Sequence, residues 1–150
     1  MNGTSDGDSL MVGVAAVDVT PSGPVSLSGF GARTKPSNGV HDPVYARALA
    51  VAEDGGTPVV LVTLDVLGVD AALADRVRSG LAGVGVAPAG VAVIATHTHA
   101  APATLERAFL GEVDDAVVAG IVAGAVTACR ESLASLAPAA SAEVTMRIRE

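Results

Sequence analysis

Two short apolar runs, VVLVTLDV (59–66) and VAVIAT (91–96), lie on either side of a single helix-length segment. Runs this short and this uniformly apolar read as strands covered on both faces. The segment between them, DAALADRVRSGLAGVG (70–85), opens on Asp70 and carries Leu73, Val77 and Leu81 at helical spacing before Gly83 and Gly85 end it. That is a helix with a polar start and a glycine stop. A strand, a helix and a further strand in this order make a right-handed parallel crossover.

The rest of the chain extends that unit. MVGVAAVDVTP (11–21) is rich in valine, partly alternating, and stops at a Thr-Pro turn, so it reads as a first strand. Residues 45–68 read as two strands joined by a Gly-Gly turn at EDGGT. Between the first strand and this hairpin, Ser22–Pro43 has little periodicity and many Gly, Pro and Ser. Loops of that length inside a domain are uncommon and often functional. DDAVVAGIVAGAVTACRESLASL (114–136) is a long Ala-rich helix opened by two aspartates, and its Gly120–Gly124 spacing predicts close contact with a sheet. The closing AEVTMRIRE reads as a strand alternating Val144, Met146 and Ile148 with polar residues. The sum is an α/β fold: a mixed β-sheet with helices packed on it, and a parallel β-α-β crossover after a hairpin. Residues 11–150 form one such domain, and the polar, acidic residues 1–10 form a disordered tail.

Composition then narrows the function. With 150 residues, half of them hydrophobic but only 2% aromatic, the core must be built from Ala, Val and Leu. A net charge of −7 removes the positive field that draws in nucleic acid, so that class of partner is rejected. One cysteine, Cys129, excludes an intramolecular disulfide and a Cys-rich zinc site, and its alanine-rich helix reads as the setting of a buried, inert thiol. Gly, Pro or charge interrupts the apolar runs before bilayer-spanning length, which predicts no transmembrane segment. The start lacks a basic-then-apolar signal, which predicts a cytoplasmic protein. A P-loop, a dinucleotide fingerprint and a Gly-x-Ser-x-Gly elbow are all missing, and SLSGF around Ser28 reads as loop composition only. Arg33 and Lys35 form the long loop's one basic spot, read as solvated surface.

Two of the three histidines stand in VAVIATHTHAAPATL (91–105), one residue apart. On a strand, positions i and i+2 face the same way, so His97 and His99 are expected to project together from the end of a central strand. Asp65 ends the neighbouring run, and carboxyl ends of parallel strands are where open α/β sheets bind ligands. Neutral imidazoles with an orienting carboxylate are a zinc-binding chemistry. The same residues also fit a polar strand end bonded to loop backbone, with Asp65 capping the next loop. The long loop is expected to fold over this edge and bring His41, of GVHDP, towards the histidine pair.

Taken together, VGVAAVDVTP, LSGFGARTKPSNGVHDPVYARALAV, VVLVTLDVLGV and ATHTHAAPATL resemble, in order, the N-terminal part of the neutral/alkaline non-lysosomal ceramidase family. The resemblance implies a zinc-dependent amidase that hydrolyses the N-acyl bond of ceramide or a related acyl amide. It implies His97 as a direct zinc ligand and His99 as the residue beside the metal that handles protons or the scissile amide's oxygen. Asp65, His41 and Gly39 match family positions that organise the site. The family's further ligands, a His, a Glu and a Tyr, lie downstream of any residue matched here. The resemblance therefore also fits a truncated, non-catalytic domain that binds a small molecule, associates with itself, or accepts a complementing chain. One departure stands out. The family's His-Thr-His-Ser-Gly-Pro reads His-Thr-His-Ala-Ala-Pro here, so Ala100 lacks a hydroxyl and Ala101 lacks glycine's access to positive φ. Both are expected to loosen the turn under the metal.

Overall fold

The computed structural model describes residues 10–106 and 110–139. Its elements are β1 (Leu10–Asp18), β2 (Tyr45–Glu53), β3 (Val59–Leu64), α1 (Ala71–Gly80), β4 (Val91–Ala95), α2 (Asp115–Ala134) and β5 (Ala137–Pro138). They form one mixed sheet in the order β4-β3-β2-β1-β5. β1, β2 and β3 meander antiparallel, and β3 pairs parallel with β4 across α1, as the crossover predicts. Of the expected disordered tail, residues 1–10, only Leu10 is described, and it opens β1; residues 1–9 and the predicted closing strand lie outside the described residues. The described strand after α2 is β5, which pairs with Met11 and Val12 of β1.

Both helices begin as their sequences dictate. Asp70 accepts a bond from the Leu73 amide at 2.8 Å, and Asp114 accepts from Ala116 and Val117. Each carboxylate thereby satisfies amide hydrogens that the first helical turn leaves without partners.

The core lies between the helices and one face of the sheet. Along β2 every second residue, Ala46, Ala48, Ala50 and Ala52, is buried, and β3 adds Val60, Val62 and Leu64. The small β2 side chains let α2 lie close, with its Ile121, Ala125, Ala128 and Cys129 buried in the core between them. At Gly124 a Cβ would run into the Val19 side chain, whereas at Gly120 it would meet nothing within 4 Å. Only one of the two glycines therefore marks a helix-to-sheet contact. α2 is by length and composition apolar enough to cross a membrane, and here it packs on the sheet as a core helix. Cys129 is fully buried, and burial pushes its thiol up to about 11.

The other face of the sheet carries no helix among the described residues. Val14, Leu49 and Leu61 sit side by side on adjacent strands there, with Ile94 and Val59 close by, and all five are exposed. β3 and β4 were expected to be covered on both faces; among the described residues they are covered on one. Among the described residues β4 also lies at the sheet's edge and not at its centre as its sequence predicts, while β5 joins the opposite edge beside β1.

Candidate active site

The histidine segment leaves the sheet in an orderly way. Beyond β4 the parallel ladder continues for two residues, with Thr96 N–H donating to Leu64 O (2.9 Å) and His97 N–H to Val66 O (3.1 Å). The chain then turns at His97, whose φ is 64°, the one positive φ outside glycine among the described residues. Histidine tolerates this left-handed conformation better than most residues, and such outliers gather at functional sites. The turn breaks the strand alternation, so the i, i+2 parity argument fails here. The two rings meet nonetheless, edge to face with centroids 5.0 Å apart.

The His97 ring is held by one bond. Its Nδ1 lies 2.7 Å from the Leu67 carbonyl oxygen. A carbonyl only accepts, so Nδ1 carries the hydrogen and Nε2 of the neutral ring keeps its lone pair. This is the tautomer and the restraint that a metal-binding imidazole requires.

Asp65 is committed elsewhere. Its carboxylate accepts from the Tyr45 amide (3.0 Å), from Arg47 (2.6 Å) and from the Thr96 hydroxyl (3.2 Å). It touches the histidine segment through Thr96, and none of its bonds goes to an imidazole. It ties β2, β3 and the end of β4 together. Thr96 and Thr98 join it in lining a cleft of about 860 Å³ under the long loop, which His97 and His99 do not line.

His41 and Gly39 also line that cleft. His41 is 97% exposed and pairs with Asp42 at 2.6 Å, a hydrogen bond that raises its pKa, helped by the carboxylate's charge. The long loop thus does fold over the strand edge, but the part that reaches the histidines is Ser28–Arg33. Ser28 N–H donates to Ala101 O (2.9 Å), and Ala103 N–H to Ser26 O (2.9 Å), so the two segments run side by side. Ser28 is buried, with its hydroxyl bonded to Leu110 O. Phe30 meets the His99 ring edge-on at 5.6 Å, and Arg33 lies over Phe30 at 5.1 Å. Sequence reading counted this stretch among the motifs of the resemblance but gave its residues no role in the site, reading SLSGF as loop composition and Arg33 as solvated surface. The available signal was the Ser-Gly-Phe-Gly run inside a long loop, directly followed by its only basic residues.

Ala101 does not loosen its turn. It is fully buried and has no positive φ, so glycine's conformational freedom is not needed there. Among the described residues no group of three or more His, Cys, Asp or Glu side chains could hold a metal ion. One oriented imidazole with a second beside it fits part of a zinc shell. A catalytic zinc takes three protein ligands, and the described residues do not make that site.

The sequence model of the neutral/alkaline non-lysosomal ceramidase, N-terminal, matches residues 10–149. A ceramidase solved in complex with C2 has a similar fold, with a TM-score of 0.72 and 25% identity over 87% of this chain and 22% of that one. The neutral ceramidase from Pseudomonas aeruginosa has a similar fold at a TM-score of 0.71 and 24% identity, over 89% of this chain and 23% of its own. This chain therefore spans less than a quarter of the length of those ceramidases. No curated protein sequence matches it.

Proposed function

This chain belongs to the neutral/alkaline non-lysosomal ceramidase family, and from that premise we propose that it is the histidine-bearing N-terminal part of a zinc-dependent amidase. The substrate class is an N-acyl amide of the ceramide type. The observation that carries the reading is the His97 ring, fixed through Nδ1 on Leu67 with Nε2 left as a ligand nitrogen. In this reading His97 gives zinc one bond, and the remaining ligands come from residues other than those described here. No chemical step is assigned to the metal on this chain alone.

The chain's own contribution to chemistry is His99. Amide hydrolysis adds water to the carbonyl carbon, breaks the C–N bond and delivers a proton to the departing nitrogen, giving an amine and a carboxylic acid. A histidine imidazole can serve both as general base and as general acid, so His99 can accept the proton from water and return it to the amine. Its ring stands beside His97, and the residue is exposed, so that water and substrate can reach it.

A second reading has its own support: the incomplete ligand set and the uncovered apolar sheet face fit a domain that acts only with a complementing polypeptide. Assay of the isolated chain on a fluorogenic N-acyl sphingoid amide, with and without zinc, separates the two. Turnover that needs both zinc and His99 supports the amidase on this chain alone. Zinc binding without turnover supports the complemented domain, and absence of both contradicts the zinc reading.

A further inference from the structure

We infer that Gly29 is the positioning residue for His99: its bare backbone lets the long loop press directly on that histidine and hold the ring against His97. The inference rests on the proposed reading of His99 as the proton-handling group. Gly29 has φ 110°, and a Cβ built there would lie 2.5 Å from Cα, 2.6 Å from Cβ and 2.8 Å from Cγ of His99. Two obstacles therefore coincide. An L side chain is strained at that φ, and its first carbon would occupy the space of His99 itself. Those His99 atoms are backbone and the root of a side chain, so neither can swing aside without moving the turn.

The neighbours act in the same direction. Arg33 donates from Nη1 to Ser28 O at 3.2 Å and reaches His99 O at 3.5 Å from both terminal nitrogens. It joins the residue before Gly29 to the residue Gly29 abuts. Phe30, immediately after, meets the His99 ring edge-on at 5.6 Å. His97 meets the same ring edge to face at 5.0 Å. The loop thus contacts His99 at its backbone, its Cβ and its ring. His97, by contrast, is held through Leu67 and by the β3–β4 ladder, and owes nothing to Gly29.

That independence makes the test. In protein carrying ¹⁵N-labelled histidine, ring nitrogen shifts and ring-to-ring cross-peaks are recorded for wild type, Gly29→Ala, Arg33→Met and Gly120→Ala. The last is a control in α2, away from the site, since a Cβ at Gly120 meets nothing within 4 Å. Gly29→Ala should abolish the His99–Phe30 and His99–His97 cross-peaks while the Nδ1–H tautomer of His97 persists. Arg33→Met, which inserts nothing into the contact, should weaken the same cross-peaks, and it decides the matter if Gly29→Ala does not fold. Gly120→Ala should match wild type. Unchanged His99 cross-peaks in Arg33→Met and in folded Gly29→Ala overturn the inference, as does equal loss in Gly120→Ala. None of these readings depends on turnover. A displaced His99 with unaltered amidase activity would refute its role in proton handling and leave the positioning intact.

Discussion

The Nδ1 of His97 and the carbonyl of Leu67 stand 2.7 Å apart, joining the end of one parallel strand to the loop after its neighbour. This bond sets the tautomer of the ring, while the ladder at Thr96 and His97 sets its height above the sheet. Chemistry and fold meet at one residue, which also has the only strained φ outside glycine among the described residues.

That strain predicts an order of stabilities. A left-handed residue other than glycine costs roughly 1–2 kcal/mol. His97→Gly relieves that cost but adds unfolded-state entropy of about 1 kcal/mol. It should therefore unfold in urea within about 1 kcal/mol of wild type. His97→Val, β-branched and poorly suited to this conformation, should be the least stable of the three. A Val variant as stable as Gly would mean that the turn at residue 97 is not left-handed in solution.

The two sheet faces should respond oppositely to charge. Leu61, 38% exposed on the open face, should tolerate Lys within about 0.5 kcal/mol. Val62, next in sequence and wholly buried against the helices, should lose the fold when replaced by Lys, because an unpaired ammonium would enter the core. Sedimentation velocity adds a second reading. Exposed apolar patches drive association, so Leu61→Lys should also reduce any self-association of the wild-type chain.

Sequence reading reached the crossover, the hairpin and both helix starts because each rests on local signals: apolar runs of strand length, Asp70 and Asp114 as caps, and glycines after the helix. It expected a central β4, which among the described residues lies at the edge, because a run such as VAVIA reports how apolar its surroundings are and not which strands pair with it. Likewise His97 and His99 were legible as a pair, but the parity argument assumed that the strand continues through them. It stops at Ala95, and the rings meet through a left-handed turn instead. His41 carried little signal of its own; the long loop was expected to bring it towards the histidine pair, yet its side chain is solvated and pairs with Asp42. Gly29 and Phe30 carried no chemistry of their own in the sequence. Their importance comes from a contact about seventy residues away along the chain, which no local pattern encodes.

Within α2 the two glycines should separate cleanly. Gly120→Ala, on an exposed stretch with open space, should stabilise by up to about 1 kcal/mol through helix propensity. Gly124→Ala must push against Val19 and should destabilise by roughly 1–3 kcal/mol. Thermal unfolding of the two variants measures both signs. A rise in Tm for Gly124→Ala would contradict the close contact of α2 with the end of β1.

Cys129 makes the pH prediction. Burial raises its folded pKa from 9.0 to about 11, so the neutral thiol is the form the fold favours. The folded pKa lies above the unfolded one. The associated stability is therefore complete below about pH 9 and is lost as pH rises through about 11. Cys129→Ala should flatten that alkaline loss in denaturation curves taken across the window. In the native protein at pH 8 the thiol should resist a thiol-specific disulfide reagent and react promptly once unfolded.

The central claim, that this chain presents His97 as a metal ligand through Nε2, is tested most directly by titrating zinc into protein with ¹⁵N-labelled histidine and following the ring nitrogens. The account predicts weak binding, with the Nε2 resonance of His97 moving and its Nδ1–H retained, and with no such response in His97→Gly. Coordination through Nδ1, or an unperturbed His97 ring while zinc binds elsewhere, would contradict it.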